Sequence, residues 1–399
     1  MNFLSKAGCR IFQAIFHLAL PVLPYRTPEK ISHIKDIPQL LQAKNLYSVL
    51  LVTDAFLRSA GATAALESAL AKAGISCAVY DKTRANPTVH NVEEAVSLYT
   101  ENQCHAIIAF GGGSPMDCAK AVGARIAYPK KRLNQMKGLL RVLRKLPPLI
   151  AIPTTAGTGS EVTVTAVITD SVTKHKYTMN NFTMIPRYAV LDPQVTYTLP
   201  PHLTATTGMD ALTHAVEAYI GGSTSKETRQ LSLEAVKLIF ENMETAYVDG
   251  TNHEARKNML MAAHKAGIAF SKSYVGYIHA VAHSLGGEYN IPHGLANAVL
   301  MPIVLEYYGE AAHKKLKDLA VAAGAAAEND LPEIAAKKFI TAIRELNRRM
   351  DIPERLLGIQ EADIPKMARH AAKEANPLYP VPVLMNAKEL EVFYRLVKE

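Results

Sequence analysis

Residues 105–123 read HAIIAFGGGSPMDCAKAVG. An unbroken apolar run from Ala106 to Phe110 enters Gly111, Gly112 and Gly113 and passes directly into a helix-forming stretch. A short apolar run closed by glycine reads as a buried strand, and a strand feeding a helix through glycines is the turn of a βα unit. The flanking sequence repeats this alternation. YSVLLVTD (47–54) is a strand, LRSAGATAALESALAKAG (57–74) a helix, SCAVYD (76–81) a strand and VEEAVSLYTENQ (92–103) a helix. PPLIAIPTT (147–155) is a further strand, and EVTVTAVITD with KYTM and YAVLDP reads as β-hairpin material elaborating the sheet.

This order implies an α/β domain with a parallel, Rossmann-like sheet. After TLPP (198–201) the pattern changes: long helical stretches such as 203–220, 226–248 and 255–271 follow one another. The expected organisation is an amphipathic leader over 1–24, a dinucleotide-binding α/β domain over 25–199 and an all-α domain over 200–399. In the leader, Phe3, Leu4, Ile11, Phe12, Ile15, Phe16 and Leu20 recur at near-helical spacing, and Gln13 and His17 interrupt the signal-peptide pattern. The leader is expected to pack on the body or on a neighbouring subunit, and no integral membrane segment is expected.

The chain has 399 residues, 49% hydrophobic and 20% charged, which suits a globular protein of two domains. Its net charge of +8 is concentrated at Lys130, Lys131, Arg132, Lys137, Arg141, Arg144 and Lys145. Without interleaved aromatics or a known module, that segment reads as a solvated loop and helix, and no nucleic-acid partner is expected. Cys9, Cys77, Cys104 and Cys118 form no C-x-x-C pair, which suits a reducing cytoplasm.

Two sets of residues carry chemistry. The glycine turn frees the N–H groups of Ser114 and the first helical turn for a pyrophosphate, although a plain tight turn fits the same spacing. A second loop at a strand end, PTTAGTGSEVT, gathers Thr154, Thr155, Gly157, Thr158 and Gly159, small hydroxyls and open amides suited to a polar ligand. Asp54 closes the first strand, where a carboxylate accepts from a ribose hydroxyl and repels a 2′-phosphate; this favours NAD over NADP. In the second half, Asp210 and His214 stand one helical turn apart on one face, and His279 and His293 follow. Three imidazoles and a carboxylate suit Fe(II) or Zn(II); the same spacing also fits a surface hydrogen bond and ordinary structural histidines.

GGGSPMDCAKAVG, PTTAGTGSEVT, GMDALTHAVEAY (208–219) and HAVAHSLGGEYNIPHGLANAVLMP (279–302) together resemble the iron-containing (group III) alcohol dehydrogenases. The resemblance runs from about residue 25 to the C-terminus; the leader and PLYPVPVLMNAKEL (377–390) are the least typical stretches. It implies the fold shared by dehydroquinate synthase and iron alcohol dehydrogenases, with Asp210, His214, His279 and His293 as metal ligands. His283 resembles the histidine beside the metal that relays the proton. Asp54, Asn86, Gly112, Gly113, Ser114, Asp117, Thr154, Thr155, Thr158 and Lys176 match cofactor-binding positions. Thr165, Phe270 and Val275 are expected near the substrate pocket.

The implied activity is metal-dependent, NAD(H)-linked interconversion of a short-chain primary alcohol or diol and its aldehyde, with closure of the two domains about residue 200. A glycerol dehydrogenase and a hydroxyacid–oxoacid transhydrogenase are neighbouring readings. A lyase related to dehydroquinate synthase and a non-catalytic nucleotide- or metal-binding protein are readings of other classes. A homodimer or higher homo-oligomer is expected.

Overall fold

The computed structural model describes residues 1, 3–170 and 175–399. It divides into two units, Pro24–Thr198 and Met1–Leu23 with Leu199–Glu399.

Among the described residues, the first unit holds nine strands: β1 (Glu29–Ile31), β2 (Ser48–Val52), β3 (Ser76–Tyr80), β4 (Ala106–Gly111), β5 (Gly138–Leu139), β6 (Leu149–Pro153), β7 (Thr165–Asp170), β8 (His175–Asn180) and β9 (Tyr188–Val190). Six form a wholly parallel sheet in the order β1-β9-β6-β4-β2-β3. Its two faces pack into separate cores. Leu50, Val52, Ile107 and Ala109 enter one; Val49, Leu51, Ala106, Ile108 and Phe110 enter the other. Both faces are covered, so the strands are apolar throughout rather than alternating.

From β2 the chain moves to β3 on one side and then to β4 on the other. The carboxyl ends of β2, β4 and β6 therefore lie side by side where the winding reverses, the place where such sheets bind ligands.

Three details depart from the sequence expectation. The stretch 57–74 is two helices, Ala55–Ser59 and Ala64–Lys72, because Gly61 takes a left-handed φ of 71° between them. YAV is not hairpin material; it is β9, between β1 and β6 in the parallel sheet. The hairpin is β7 with β8, in a second sheet with β5. The basic segment around Lys130–Lys145 contains a 3-10 turn and β5 but no α-helix.

Lys120, one turn along from Asp117, is fully buried. It donates to Ser160 Oγ (3.1 Å), Thr163 Oγ1 (2.7 Å), and the carbonyls of Thr163 (3.1 Å) and Thr165 (2.8 Å). Asp117 accepts from Val167 N (3.1 Å) and Ser160 Oγ (3.4 Å). The two side chains thus fasten the helix after the glycine turn to the threonine loop and β7. Burial pulls Lys120 down to about 8 against Asp117 and Glu161, and pushes Asp117 up to about 6 against Lys120.

The second unit is helical. The helix Pro201–Ile220 opens on the two prolines, as a first turn permits, and is buried on nearly every side beyond Thr204. A helix so enclosed needs no polar face, so the polar residues it does carry, Asp210, Thr213, His214 and Glu217, require partners. The helix Phe3–Ala19 belongs to this unit. It docks through its polar side: Cys9 and Gln13 are buried, whereas Phe3, Leu4, Ile11, Ile15 and Leu18 are 61–84% exposed. The physical reason lies in the segment Pro377–Pro382. It is rich in proline, and its carbonyls find their donors in Arg10 and Gln13.

We expect Lys120→Met to cost about 3 kcal/mol by leaving the charge of Asp117 uncompensated. Folded Asp117 holds its proton more tightly than an unfolded carboxyl does, so its ionisation costs stability as the pH rises from about 4 to about 6. The parent protein bears the same cost, but without Lys120 folded Asp117 holds its proton more tightly still, so the deficit should develop above about pH 6 and shrink as the pH is lowered to that value. Urea titrations at several pH values read this, and a midpoint equal to that of the parent protein would refute the clamp.

Candidate metal centre and dinucleotide cradle

In the α/β unit, Gly111 ends β4, Gly112 caps the following helix and Gly113 begins it. A side chain on Gly112 would meet Thr155 Cγ2 at 3.2 Å, and one on Gly113 would meet Thr158 Cγ2 at 3.2 Å. The two loops approach as closely as they do because neither glycine carries a Cβ. Thr154 N donates to Gly111 O (3.1 Å), which ties the loops at their root. Ser114, Thr155 and Thr158 remain partly exposed on this rim. The result is a backbone concavity at a helix N-terminus, the donor set that a pyrophosphate takes.

Asp54 accepts from Leu57 N (2.9 Å), capping the helix after β2 through one oxygen. Asn86 is exposed, with a left-handed φ of 59°. Lys176 stands on β8 opposite Thr169, and partial burial lowers its pKa. Asp117 is committed to Val167 and Ser160, which gives it a part in holding the cradle together.

In the helical unit, Asp210, His279 and His293 converge, with one donor atom from each inside a 4.8 Å span. Asp210 Oδ1 lies 3.6 Å from His279 Nε2 and 3.3 Å from His293 Nε2. His214, one turn beyond Asp210, has its Nδ1 4.0 Å from the same oxygen. Its ring lies between Phe270 and His279, with centroids at 4.1 and 4.4 Å. His279 comes from the helix Tyr277–Tyr289. His293 is the first residue of the next helix, His293–Tyr308. Gly294 makes that placement possible, because a Cβ there would collide with the carbonyl of Thr206 on the Asp210 helix.

The donors fit a divalent ion. His214 Nδ1 and His279 Nε2 are buried without a hydrogen-bond partner, an arrangement proteins avoid unless the site has a use for it. Burial, reinforced by the neighbouring imidazoles, drives His214 down to about 3 and lowers His293 too, so both present neutral rings as ligation requires. Burial would raise the Asp210 carboxyl, but the imidazoles of His214, His293 and His279 hold it well below its ordinary range. Burial also opposes a proton on His279, yet Asp210 and Glu217 outweigh it and lift the ring to about 9. The pocket thus attracts positive charge at its centre.

Several functional candidates lie outside the sequence reading. Glu217 Oε2 holds His279 Nδ1 at 2.6 Å, and its two oxygens also accept from Gly276 N and Ile278 N, each at 2.8 Å. Asn297 Nδ2 donates to Asp210 (2.7 Å) and lies 3.1 Å from His293 Nε2. Both had a signal, since Glu217 is seven residues beyond Asp210 and Asn297 four beyond His293 on their helices. His283 stacks on His293 at 5.0 Å, and its Nδ1 is 2.7 Å from Glu374 Oε1. Of the three expected pocket residues, Phe270 covers His214. Val275 lines a narrow crevice behind Glu217. Thr165 belongs to the α/β unit, where its hydroxyl donates to Asn180.

Residues 29–193 match the iron-containing alcohol dehydrogenases, and residues 204–396 match the C-terminal domain of the same family. The chain belongs to the iron-containing alcohol dehydrogenases. It is 39% identical over 385 residues to the 1,3-propanediol dehydrogenase of Klebsiella pneumoniae, covering 96% of this chain and 98% of that one. The crystal structure of a 1,3-propanediol oxidoreductase superposes with a TM-score of 0.90 at 38% identity, covering 94% of this chain and 99% of the other. Sulfoacetaldehyde reductase from Bifidobacterium kashiwanohense, solved in complex with NAD+, gives a TM-score of 0.83 at 28% identity, covering 94% and 98%. Family membership makes the protein an oxidoreductase of the iron-containing alcohol dehydrogenase type.

Glu217→Gln keeps one acceptor oxygen where the carboxylate offers two to Gly276 N and Ile278 N, and it removes the charge behind His279. We expect it to weaken metal affinity by about 10- to 100-fold, read by competition with a chromophoric chelator. Unaltered affinity would show that Glu217 serves only to cap the helix.

Proposed function

We infer that the protein interconverts a short-chain primary alcohol or diol and its aldehyde, with a divalent metal and NAD(H). The convergence of Asp210, His279 and His293 beside His214 carries this reading. All four are assigned as ligands, with Fe(II) as the resident ion and Zn(II) as an alternative that the same donors accept. When bound, the metal supplies Lewis acidity that lowers the alcohol's pKa or polarises the aldehyde carbonyl. The dinucleotide supplies the hydride acceptor or donor.

The chain's own residues do the rest. Gly112, Gly113, Ser114, Thr154, Thr155 and Thr158 seat the pyrophosphate through amides and hydroxyls, and Asp54 presents its second oxygen to the ribose of NAD. Asn86 and Lys176 complete the cofactor contacts. Asp117 and Lys120 hold the turn in shape. Phe270 forms an apolar wall at His214, and Val275 and Thr165 are assigned to the substrate side. His283 takes the alcohol's proton as the carbon-bound hydrogen leaves as hydride, and returns it in reduction.

The relatives' names favour alcohols and diols over glycerol as the substrate class. A cytoplasmic homodimer is part of the same reading. It rests on four free thiols and on the exposed apolar side of the N-terminal helix. No helix among the described residues is long and apolar enough to cross a membrane.

Protein loaded anaerobically with Fe(II) should oxidise NADH, and NADPH far more slowly, with one or more short aldehydes. His279→Ala should abolish turnover while NAD binding remains measurable. Absence of turnover with either cofactor, with the metal verified in place, would favour the transhydrogenase or the lyase. Full activity of His279→Ala would remove that residue from the metal shell.

A further inference from the structure

The carboxylate on the far side of His283 stands at the end of the helix Ile364–Ala375, just before the stretch that resembles the family least, and it is braced from the N-terminus. His283 Nδ1 is 2.7 Å from Glu374 Oε1. The same oxygen accepts from the Tyr379 hydroxyl at 2.8 Å. Tyr379 is buried, and its carbonyl accepts from Gln13 Nε2 at 2.8 Å, while Pro377 O accepts from the same nitrogen at 3.0 Å. Arg10 donates to Val381 O and Pro382 O, each at 2.8 Å, and also to Gln13 Oε1 at 2.9 Å. Phe16 packs edge-on against Tyr274 at 5.1 Å, and Tyr274 lies 6.4 Å from the ring of Tyr379. A continuous path of hydrogen bonds and ring contacts thus runs from the helix Phe3–Ala19, through Pro377–Pro382, to the imidazole beside the metal ligands.

The chemistry of that imidazole gives the path a purpose. A neutral histidine can carry its proton on either nitrogen, and a carboxylate at Nδ1 fixes it there. Nε2 is then the only ring nitrogen with a free lone pair. The stack of His283 on His293, with rings 16° from parallel, fixes the plane of the ring as well. A ring so held offers Nε2 to an incoming proton without first having to exchange tautomers or turn.

We propose that Glu374 is the positioning residue for His283, and that the N-terminal helix, latched through Gln13, holds Glu374 in place by way of Tyr379. This rests on the reading of His283 as the proton carrier. Glu374 touches neither metal nor substrate; it sets the tautomer and direction of the group that does.

The test uses the full-length Zn(II)-loaded protein with 15N-labelled histidine, together with steady-state kinetics of the Fe(II) form. In the parent protein the His283 resonances should report a single tautomer with the proton on Nδ1. Glu374→Ala should mix the tautomers and lower kcat by about 10- to 100-fold, leaving KM for the aldehyde and metal content unchanged. Glu374→Gln retains an acceptor oxygen and should restore the single tautomer and most of kcat, a rescue that a merely structural role would not show. Gln13→Ala should broaden the same resonances and lower kcat a few-fold.

A single Nδ1–H tautomer and an unchanged kcat in Glu374→Ala would overturn the assignment. An unaffected Gln13→Ala would sever the N-terminal helix from it. His283→Gln, measured alongside, separates the two layers of the argument. Full activity there would refute the proton-carrier reading itself, whereas an inactive His283→Gln beside a fully active Glu374→Ala would refute only the positioning role.

Discussion

Asp210 is the constraint on which the helical unit turns. Its carboxylate is buried in a helix with almost no solvent-facing side, and a lone charge there would be prohibitively costly. The cost is offset by imidazoles from three helices and by the amide of Asn297. Behind them Glu217, equally buried, grips His279 and closes the start of its helix. Two carboxylates enclosed with several histidines form a pocket that favours positive charge at its centre. Gly294 is required because His293 can reach Asp210 only if its helix presses against the backbone at Thr206.

The α/β unit solves a different problem with the same economy. A dinucleotide needs an open backbone at a strand end, and an open backbone is a weak place in a fold. The glycines supply the opening. The compensation is internal: buried Lys120 and its neighbour Asp117 fasten the turn, the threonine loop and β7 into one body. The ionic pair is a structural device beneath the proposed dinucleotide surface, and its position one turn into the helix lets it brace the turn without occupying it.

Much of this could be read from the sequence, for identifiable reasons. Short apolar runs alternating with helical stretches marked the parallel sheet, because strands covered on both faces have no polar period to hide them. Asp210 and His214 were visible as a helical pair, and Glu217 and Asn297 followed the same period, though single helices with such spacings are common enough to pass unremarked. The break at Gly61 escaped because an isolated glycine is tolerated inside helical patterns and only its left-handed φ reveals the turn. The placement of YAV between β1 and β6 escaped because strand order is a long-range property. Glu374 and the docking of the N-terminal helix by its polar side could not have been seen. Those contacts join residues ninety or more positions apart, and a run of proline carbonyls in need of donors leaves no periodic mark.

The central claim is that Asp210, His214, His279 and His293 hold one divalent ion. X-ray absorption at the iron edge of the Fe(II)-loaded protein reads that shell directly. The account predicts outer-shell scattering from three imidazole rings together with a carboxylate oxygen, and loss of one ring's contribution in His293→Ala. A shell of oxygen atoms alone, or a ring count that His293→Ala leaves unchanged, would contradict it.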